Sequence, residues 1–511
     1  METNQTDLNP NPLVYQTDLQ IIEQEARADL VGKTFEKVLE EGAHYLQRFH
    51  SFLSLEEAKE SFKNSSRKGG LGVLIEEAYF GYQANSFQGA DLQESGVEVK
   101  ATPLDKNTSG EFVAGERLKI TQINFNLPVE TDFYKSHVWE KIKSILLIHY
   151  FREREKKINL LYKIQFVTMF SPPEKDLPII IEDYKIIITK IESGLAHELS
   201  EGDTNYLGAC TSGQTAETSK VEQILYAPGI WAKGRAFCYK NSYMKYVFNE
   251  YVKPSKQISE SIISDANQLS EQTFDELIQS RINNHRGKTE HQLCEEFDMP
   301  CVDNPSAAKG RRSQLAFRML GVKSNKAEEF EKANIVVKTI KLEASGTMKE
   351  DMSFSTFEFK TLVKENWENA EVRVLFDETR FLFVLFQHDG NDYRLVGAKL
   401  WHMPYNDLNK TVKSGWKKLR EAVSGDVVFT IEQQKKGPVV RNNLPGAKEN
   451  PIIHARTHTS KTYYELQDGK PFGKGTIANS DELPDGRRIP KHSFFLNSGY
   501  IKDIISDLVK S

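Results

Sequence analysis

Apolar residues recur along the chain with two periods, and the places where one gives way to the other divide it into elements. Between Asp18 and Lys63 the positions Ile21, Ile22, Ala26, Leu30, Val31, Phe35, Val38 and Leu39 follow helical spacing. Lys68 to Gly81 predicts a further helix. Glycines open it, Leu71, Leu74, Ile75 and Ala78 repeat along one face, and Gly81 can close it, which leaves Glu76 and Glu77 in mid-helix. Val97-Glu98-Val99-Lys100 alternates instead, so a strand here turns both valines to a core and Glu98 with Lys100 to the opposite face. Residues 116–127 predict a second strand, whose apolar phase changes from Leu118 and Ile120 to Ile123, Phe125 and Leu127. The slip, at Thr121-Gln122, marks a bulge or a second strand segment. Residues 137–150 begin polar and end as an apolar strand, 158–168 predict another strand, about 177–200 a helix, and Tyr243–Tyr251 one more. This succession predicts an α/β (α+β) protein with a central mixed sheet flanked by helices.

The pattern then repeats in order. Lys309-Gly310-Arg311-Arg312-Ser313-Gln314-Leu315-Ala316-Phe317 echoes Lys68 to Glu76, Glu329 to Thr339 echoes Asp91 to Ala101, and Phe381 to Phe386 echoes the strand at Ile145. Phe494, Tyr500 and Lys502 match Phe237, Tyr243 and Lys245 with the same internal spacing. Two tandem lobes of one fold follow: residues 1–255, a polar, serine-rich linker over 256–273, and residues 274–511. In this register Asp91 is answered by Glu329 and Lys100 by Lys338, but Glu98 by Val336 and Glu76 by Phe317.

Composition bounds the class. A chain of 511 residues with 39% hydrophobic residues supports more than one globular domain. Net charge is −5, from 67 basic and 72 acidic residues, so no global basic signature points to nucleic acid. A basic cleft within an acidic protein remains compatible with that balance. Four scattered cysteines make no disulfide framework or zinc ribbon. The N-terminal sequence has no signal-peptide pattern, and no apolar run approaches ~18 residues. A cytoplasmic protein without membrane contact is expected.

The chemistry concentrates at Asp91 to Lys100. Glu94-Ser95-Gly96 reads as a turn that can fold Asp91 back beside Glu98, giving two hard oxygen ligands for a cation such as magnesium, with Lys100 alongside to serve an attacking water or a scissile phosphate. Glu76 or Glu77 would complete a three-carboxylate cluster. The alternative is a solvated strand face with an ion pair. Asp351, Glu358 and Lys360 have the same spacing, but in the register of the repeat they follow the metal strand and do not form it. Because a valine holds no metal, the second lobe is expected to be catalytically silent while keeping DNA-facing character at Arg311, Arg312, His454, Arg456, His458, Lys491 and His492. In the first lobe Lys233, Arg235 and Lys240, interleaved with Phe237, Tyr239 and Tyr243, suit either DNA contact or a packed helix with snorkelling lysines.

These landmarks resemble a known family. The first lobe is similar to MutH-type endonucleases of the PD-(D/E)xK superfamily, and the two-lobed whole resembles the Sau-three-A-I family of type II restriction endonucleases. The resemblance runs from about residue 60 to 511 and is carried by Lys68 to Glu76, Gly96 to Pro103, Gly194 to Gly202 with Tyr206-Leu207, and Asn334 to Thr339. It implies recognition of GATC in double-stranded DNA and Mg2+-dependent cleavage 5′ of the G, leaving 5′-phosphates. It implies metal binding by Asp91 and Glu98, with Lys100, Glu76 and a further lysine, Lys141, at the active site, and Tyr243 against the target adenine. Lys68, Ser212, Arg311, Arg456 and His458 complete the expected DNA-binding set. The second lobe would bind another GATC copy and activate cleavage; the protein would be a monomer in solution, able to dimerise on DNA. The family's helix glutamate stands fourteen residues before the aspartate, whereas Glu76 stands fifteen and Glu77 fourteen before Asp91, so that choice stays open. The MutH pattern also has Arg-Pro-Lys in its recognition loop. The first lobe has Cys210-Thr211-Ser212 there and the second Arg456-Thr457-His458, so the first must read bases with other donors, such as Ser212, Thr211 or neighbouring backbone. A GATC-binding regulator without cutting, and a mismatch-repair nickase, are the rival functions.

Overall fold

The computed structural model describes residues 10–50, 54–63, 70–84, 89–156, 158–213, 219–254, 259–301, 305–324, 326–435 and 437–509; Lys68 lies outside them. The chain forms two compact units. One contains the residues up to Ser259 with Ile263–Glu271 and Glu331–Ala333, the other Glu260–Ile262, Gln272–Phe330 and the residues from Asn334 onward. The stretch expected as a linker is therefore divided between the two. Ile262 belongs with the second unit because its backbone N–H donates to Glu329 Oε2 at 2.9 Å.

In the first unit the strands are β1 (Glu98–Lys106), β2 (Phe112–Ala114), β3 (Leu118–Gln122), β4 (Ile145–Phe151), β5 (Lys163–Phe170), β6 (Leu207–Thr211), β7 (Lys220–Gln223), β8 (Ala227–Lys233) and β9 (Arg235–Tyr239). They form a mixed sheet in the order β2-β1-β4-β5, with β1 and β4 parallel, an antiparallel sheet in the order β3-β9-β6, and a β7–β8 ribbon. Val97 and Val99 pack with Leu146 and Ile148 of β4 into the core against the N-terminal helices. The first long helix, Leu19–Leu30, starts where Asp18 Oδ1 accepts the Gln20 N–H at 2.8 Å, and it buries Ile22, Ala26 and Leu30 in that core. The phase slip in β3 is a true irregularity, a register shift between Lys119 and Thr121. Two expectations change. The helix predicted to 200 ends at Glu192 because Gly194 takes a φ of 72°, which breaks helical geometry. The strand predicted from 158 starts at Lys163, after a 3-10 turn over Asn159–Leu161.

In the second unit the strands are β10 (Ile335–Leu342), β11 (Met352–Phe357), β12 (Arg380–His388), β13 (Tyr393–Trp401), the ribbon β14–β15 (Phe429–Gln434 and Gly437–Asn442), β16 (Ile453–Thr457), the ribbons β17–β18 (Tyr464–Glu465 and Pro471–Phe472) and β19–β20 (Ser480–Glu482 and Arg488–Pro490), and β21 (His492–Leu496). The plan of the first unit recurs. β10 is parallel to β12 and β12 antiparallel to β13, matching β1, β4 and β5, while the order β11-β21-β16 matches β3-β9-β6. The register agrees residue for residue with the sequence repeat: Glu98 lies opposite Ile145, and Val336 lies opposite Phe381. Among the described residues no helix is long and apolar enough to cross a membrane.

Candidate active site

The site grows from the turn that precedes β1. Leu92 N–H donates to the Val97 carbonyl at 2.8 Å, Gly96 N–H to the Leu92 carbonyl at 2.9 Å, and Gly96 takes a φ of 68°, a value that favours glycine. This closed loop returns Asp91 to the strand, where the Val99 N–H donates to its Oδ2 at 2.8 Å. Period-two alternation does the rest: the valines face the core, and Glu98 and Lys100 share the other face. Lys141 arrives on the short helix His137–Ile142, which Ser136 caps by accepting the Trp139 N–H at 3.2 Å. Its ammonium donates to both Glu98 oxygens, at 3.0 and 2.8 Å, and Lys100 Nζ donates to Glu98 Oε1.

Glu98 is only 1% exposed, so two ammonium groups hold a nearly desolvated carboxylate. Burial raises Asp91 to about 6, with the Glu98 charge adding to it and Lys100, the Val99 N–H and Lys141 opposing. Burial works against the Lys100 ammonium, but Glu98 and Asp91 outweigh it and its pKa is raised.

The two helix glutamates have different surroundings. Both lie in the π-helical turn Ile75–Tyr79 that follows the α-helical turn Gly70–Leu74, and as neighbours on a helix they point in different directions. Glu77 is buried against His50, whose Nε2 lies 2.6 Å from its Oε2. Glu76 instead stands in the field of Asp91, Lys100 and Glu98, and burial followed by the Asp91 charge pushes it to about 8. Sequence reasoning missed Tyr82. Its buried hydroxyl has no hydrogen-bond partner among the described residues, and burial, Asp91, Glu76 and Glu98 all push its pKa up. Only its position three residues after the helical turn pointed to it.

The corresponding places in the second unit hold no such cluster. Val336 is 38% exposed, Phe317 packs against Phe330, and Glu329 is tied to Ser261 Oγ at 2.5 Å and to Ile262 N. Lys338 Nζ lies 5.0 Å from the centre of the Phe354 ring. Asp351, Glu358 and Lys360 are also apart in function: Asp351 accepts from Ser498 N–H and Arg456, Glu358 from Thr361 Oγ1, and Lys360 pairs with Glu482. As the side chains stand, no three His, Cys, Asp or Glu residues among those described are gathered closely enough to hold a metal.

The expected DNA-binding residues separate into two groups. Ser212, Arg456 and His458 lie at accessible sheet ends, with the Arg456 guanidinium over the Phe495 ring at 4.2 Å. Tyr243 does not reach the surface: it is 0% exposed, and its hydroxyl donates to Asp176 Oδ2 at 3.0 Å. Arg311 is also committed internally, because Glu290 takes Arg311 Nε at 2.6 Å and Arg312 Nε at 2.9 Å. His454 and His492 are buried, bonded to Asn497 and to the Pro490 carbonyl.

Two comparisons with known proteins show the family. Residues 80–183 match the family model of the DNA mismatch repair enzyme MutH, a span that includes Asp91, Glu98, Lys100 and Lys141. The chain is 32% identical over 475 residues, 88% of its length and 94% of the relative's, to the type II restriction enzyme Sau3AI of Staphylococcus aureus. Restriction endonucleases of this kind generally use divalent metal ions, and their partner is DNA. With that identity and coverage, and with one carboxylate–lysine centre on a MutH-like sheet, the chain belongs to the Sau3AI family of type II restriction enzymes and is a site-specific deoxyribonuclease.

Proposed function

We propose that the protein recognises 5′-GATC-3′ in duplex DNA and cleaves on the 5′ side of the G with Mg2+, leaving 5′-phosphates, while the second unit binds a further site and activates without cutting. The observation that carries this reading is the contrast between Glu98, buried between two lysines, and the exposed Val336 at the same register. The tetranucleotide rests on the resemblance carried by Gly96 to Pro103 and Gly194 to Gly202. The protein would work in the cytoplasm as a monomer that can pair on DNA.

The chemistry of the donors, hard carboxylate oxygens, suits a divalent cation. The Asp91 charge helps to raise Glu76 and the Glu98 charge helps to raise Asp91, a mutual crowding of negative charge that a cation relieves. Asp91 and Glu98 would hold it, with Glu76 beside them; when bound, it supplies an activated water and offsets charge on the pentacovalent transition state. The Val99 N–H fixes the orientation of Asp91. Lys100 orients the attacking water, and Lys141 steadies Glu98 and offers its charge to the scissile phosphate. The buried Tyr82 hydroxyl stands in the field of these carboxylates. Water oxygen joins phosphorus, the P–O3′ bond breaks, and the 3′-oxygen leaves with a proton.

The test is incubation of the full-length protein with Mg2+ and plasmids carrying or lacking GATC, with the ends sequenced. Linear product only from GATC plasmids, cut before the G, is expected. The MutH match favours one rival, a nickase, and persistent nicked circles without linear product would select it. Binding without any strand break would select the regulator.

A further inference from the structure

Three accessible polar side chains meet at the end of the β3-β9-β6 sheet. Lys119 Nζ lies 3.0 Å and the Gln122 amide 2.7 Å from Ser212 Oγ. With its oxygen turned to Ser212, the Gln122 amide donates its N–H to the Arg235 carbonyl at 3.1 Å. Residues 119 and 122 are an odd number of positions apart, so in a regular strand they would point to opposite faces. The register shift between Lys119 and Thr121 brings both to the same side. Ser212 is itself fixed, its N–H donating to the Gly234 carbonyl at 2.8 Å. The strand that carries Lys119 and Gln122 packs on the helix that presents Lys141 to Glu98, so this corner is joined to the cutting centre.

The second unit has the same corner with its strands' roles exchanged. At matching register Lys119 is answered by Ser353, Gln122 by Thr356, Cys210 by Arg456 and Ser212 by His458. His458 N–H donates to the Lys491 carbonyl at 2.8 Å, as Ser212 does to Gly234. Long hydrogen-bonding heads therefore come from β3 in the first unit and from β16 and its following residue in the second. Short side chains stand on the facing strand in each case.

We propose that Lys119 and Gln122 determine sequence specificity in the first unit, reading adjacent purine edges in the major groove. Lys119 donates to guanine O6 and N7, while the Gln122 amide, donor and acceptor together, pairs with adenine N6 and N7; Ser212 holds the two heads in place. The assignment rests on the proposed GATC reading, in which guanine is followed by adenine.

The test compares full-length wild-type protein with Lys119→Met and Gln122→Ala on a duplex pool randomised across the site. Both the bound duplexes and those cut with Mg2+ are sequenced. Lys119→Met is expected to lose about 10- to 100-fold of discrimination at the guanine, and Gln122→Ala a similar factor at the adenine, with other positions unchanged. Unchanged discrimination in both variants overturns the proposal. So does a uniform loss over all sequences, the mark of a phosphate contact. If the wild type selects a sequence other than GATC, that reading fails separately. Lys119 and Gln122 then stand or fall by whether each variant relaxes a purine position of the sequence actually selected.

Discussion

The two units share strand order and register, yet at one strand position they differ in kind: Glu98 is nearly inaccessible between Lys100 and Lys141, and Val336 is open to solvent. What this teaches is that the sheet alone does not make the centre. Three separate elements must deliver Glu76, the returned Asp91 and Lys141 to the same face, and the second unit has turned the equivalents to packing, with Phe317 against Phe330 and Glu329 tying down Ile262. Two substitutions break or sharpen this contrast. Glu98→Gln should reduce cutting by on the order of 1000-fold or more while sparing DNA binding, measured as single-turnover cleavage beside a filter-binding isotherm. Val336→Glu should restore nothing in that background. Cleavage regained by the double variant would mean that the second unit lacks only one ligand.

A second difference concerns how each unit uses basic residues. Arg311 and Arg312 enclose the nearly buried Glu290 and form an internal ion triad. Glu290→Ala would leave two partly desolvated guanidinium groups without it, so about 3–5 kcal/mol of stability should be lost from the second unit. Chemical denaturation monitored in that unit should then show an early transition. A variant as stable as wild type would return these arginines to a DNA-facing role.

The same residues show what could be read from the chain. Val97-Glu98-Val99-Lys100 was legible because a two-residue period projects directly onto two faces, and the repeat was legible because the spacing of Phe237, Tyr243 and Lys245 recurs. The phase slip near Thr121 announced the irregularity now found between Lys119 and Thr121. Partners distant in sequence were not legible. Nothing near Arg311 reveals Glu290, nothing near Tyr243 reveals Asp176, and nothing in the adjacent pair Glu76-Glu77 reveals that Glu77 meets His50 while Glu76 stands in the field of Asp91.

Each unit also contains a histidine whose pKa burial lowers, His149 in the first and His492 in the second, and acid should therefore strain both. Burial lowers His149 to about 3 and His492 to about 4, below the ordinary 6.5. The unfolded chain binds the proton first on acidification, so stability is intact above about pH 6.5 and falls as pH drops, by roughly 1.4 kcal/mol per histidine for each unit of pH. The decline should level off near pH 4 for the second unit and near pH 3 for the first. Replacing His149 by Leu should flatten the acid limb of the first unit alone, as read by thermal unfolding between pH 4 and 7. An unchanged slope would show that His149 is not the group being protonated.

The smallest expected difference lies in a feature that the units share. Tyr243 and Tyr500 occupy equivalent places, and each hydroxyl donates to a carboxylate near the start of a long helix: Asp176 Oδ2 at 3.0 Å before Leu177–Glu192, and Asp407 Oδ2 at 2.6 Å before Lys413–Ser424. A bond that holds the helix start against the short helix following the last strand, Asn241–Val247 in one unit and Ser498–Ile504 in the other, is a fold device, which accounts for its presence in both units. Tyr243 is fully buried and Asp176 also binds Lys332 at 2.5 Å, whereas Tyr500 is only partly buried. Tyr243→Phe should accordingly cost about 2 kcal/mol and Tyr500→Phe about 1 kcal/mol, with neither changing discrimination between cognate and substituted duplexes. If Tyr243→Phe instead relaxes base choice at unchanged stability, its ring leaves the core when DNA binds, and the equivalence of the two tyrosines ends there.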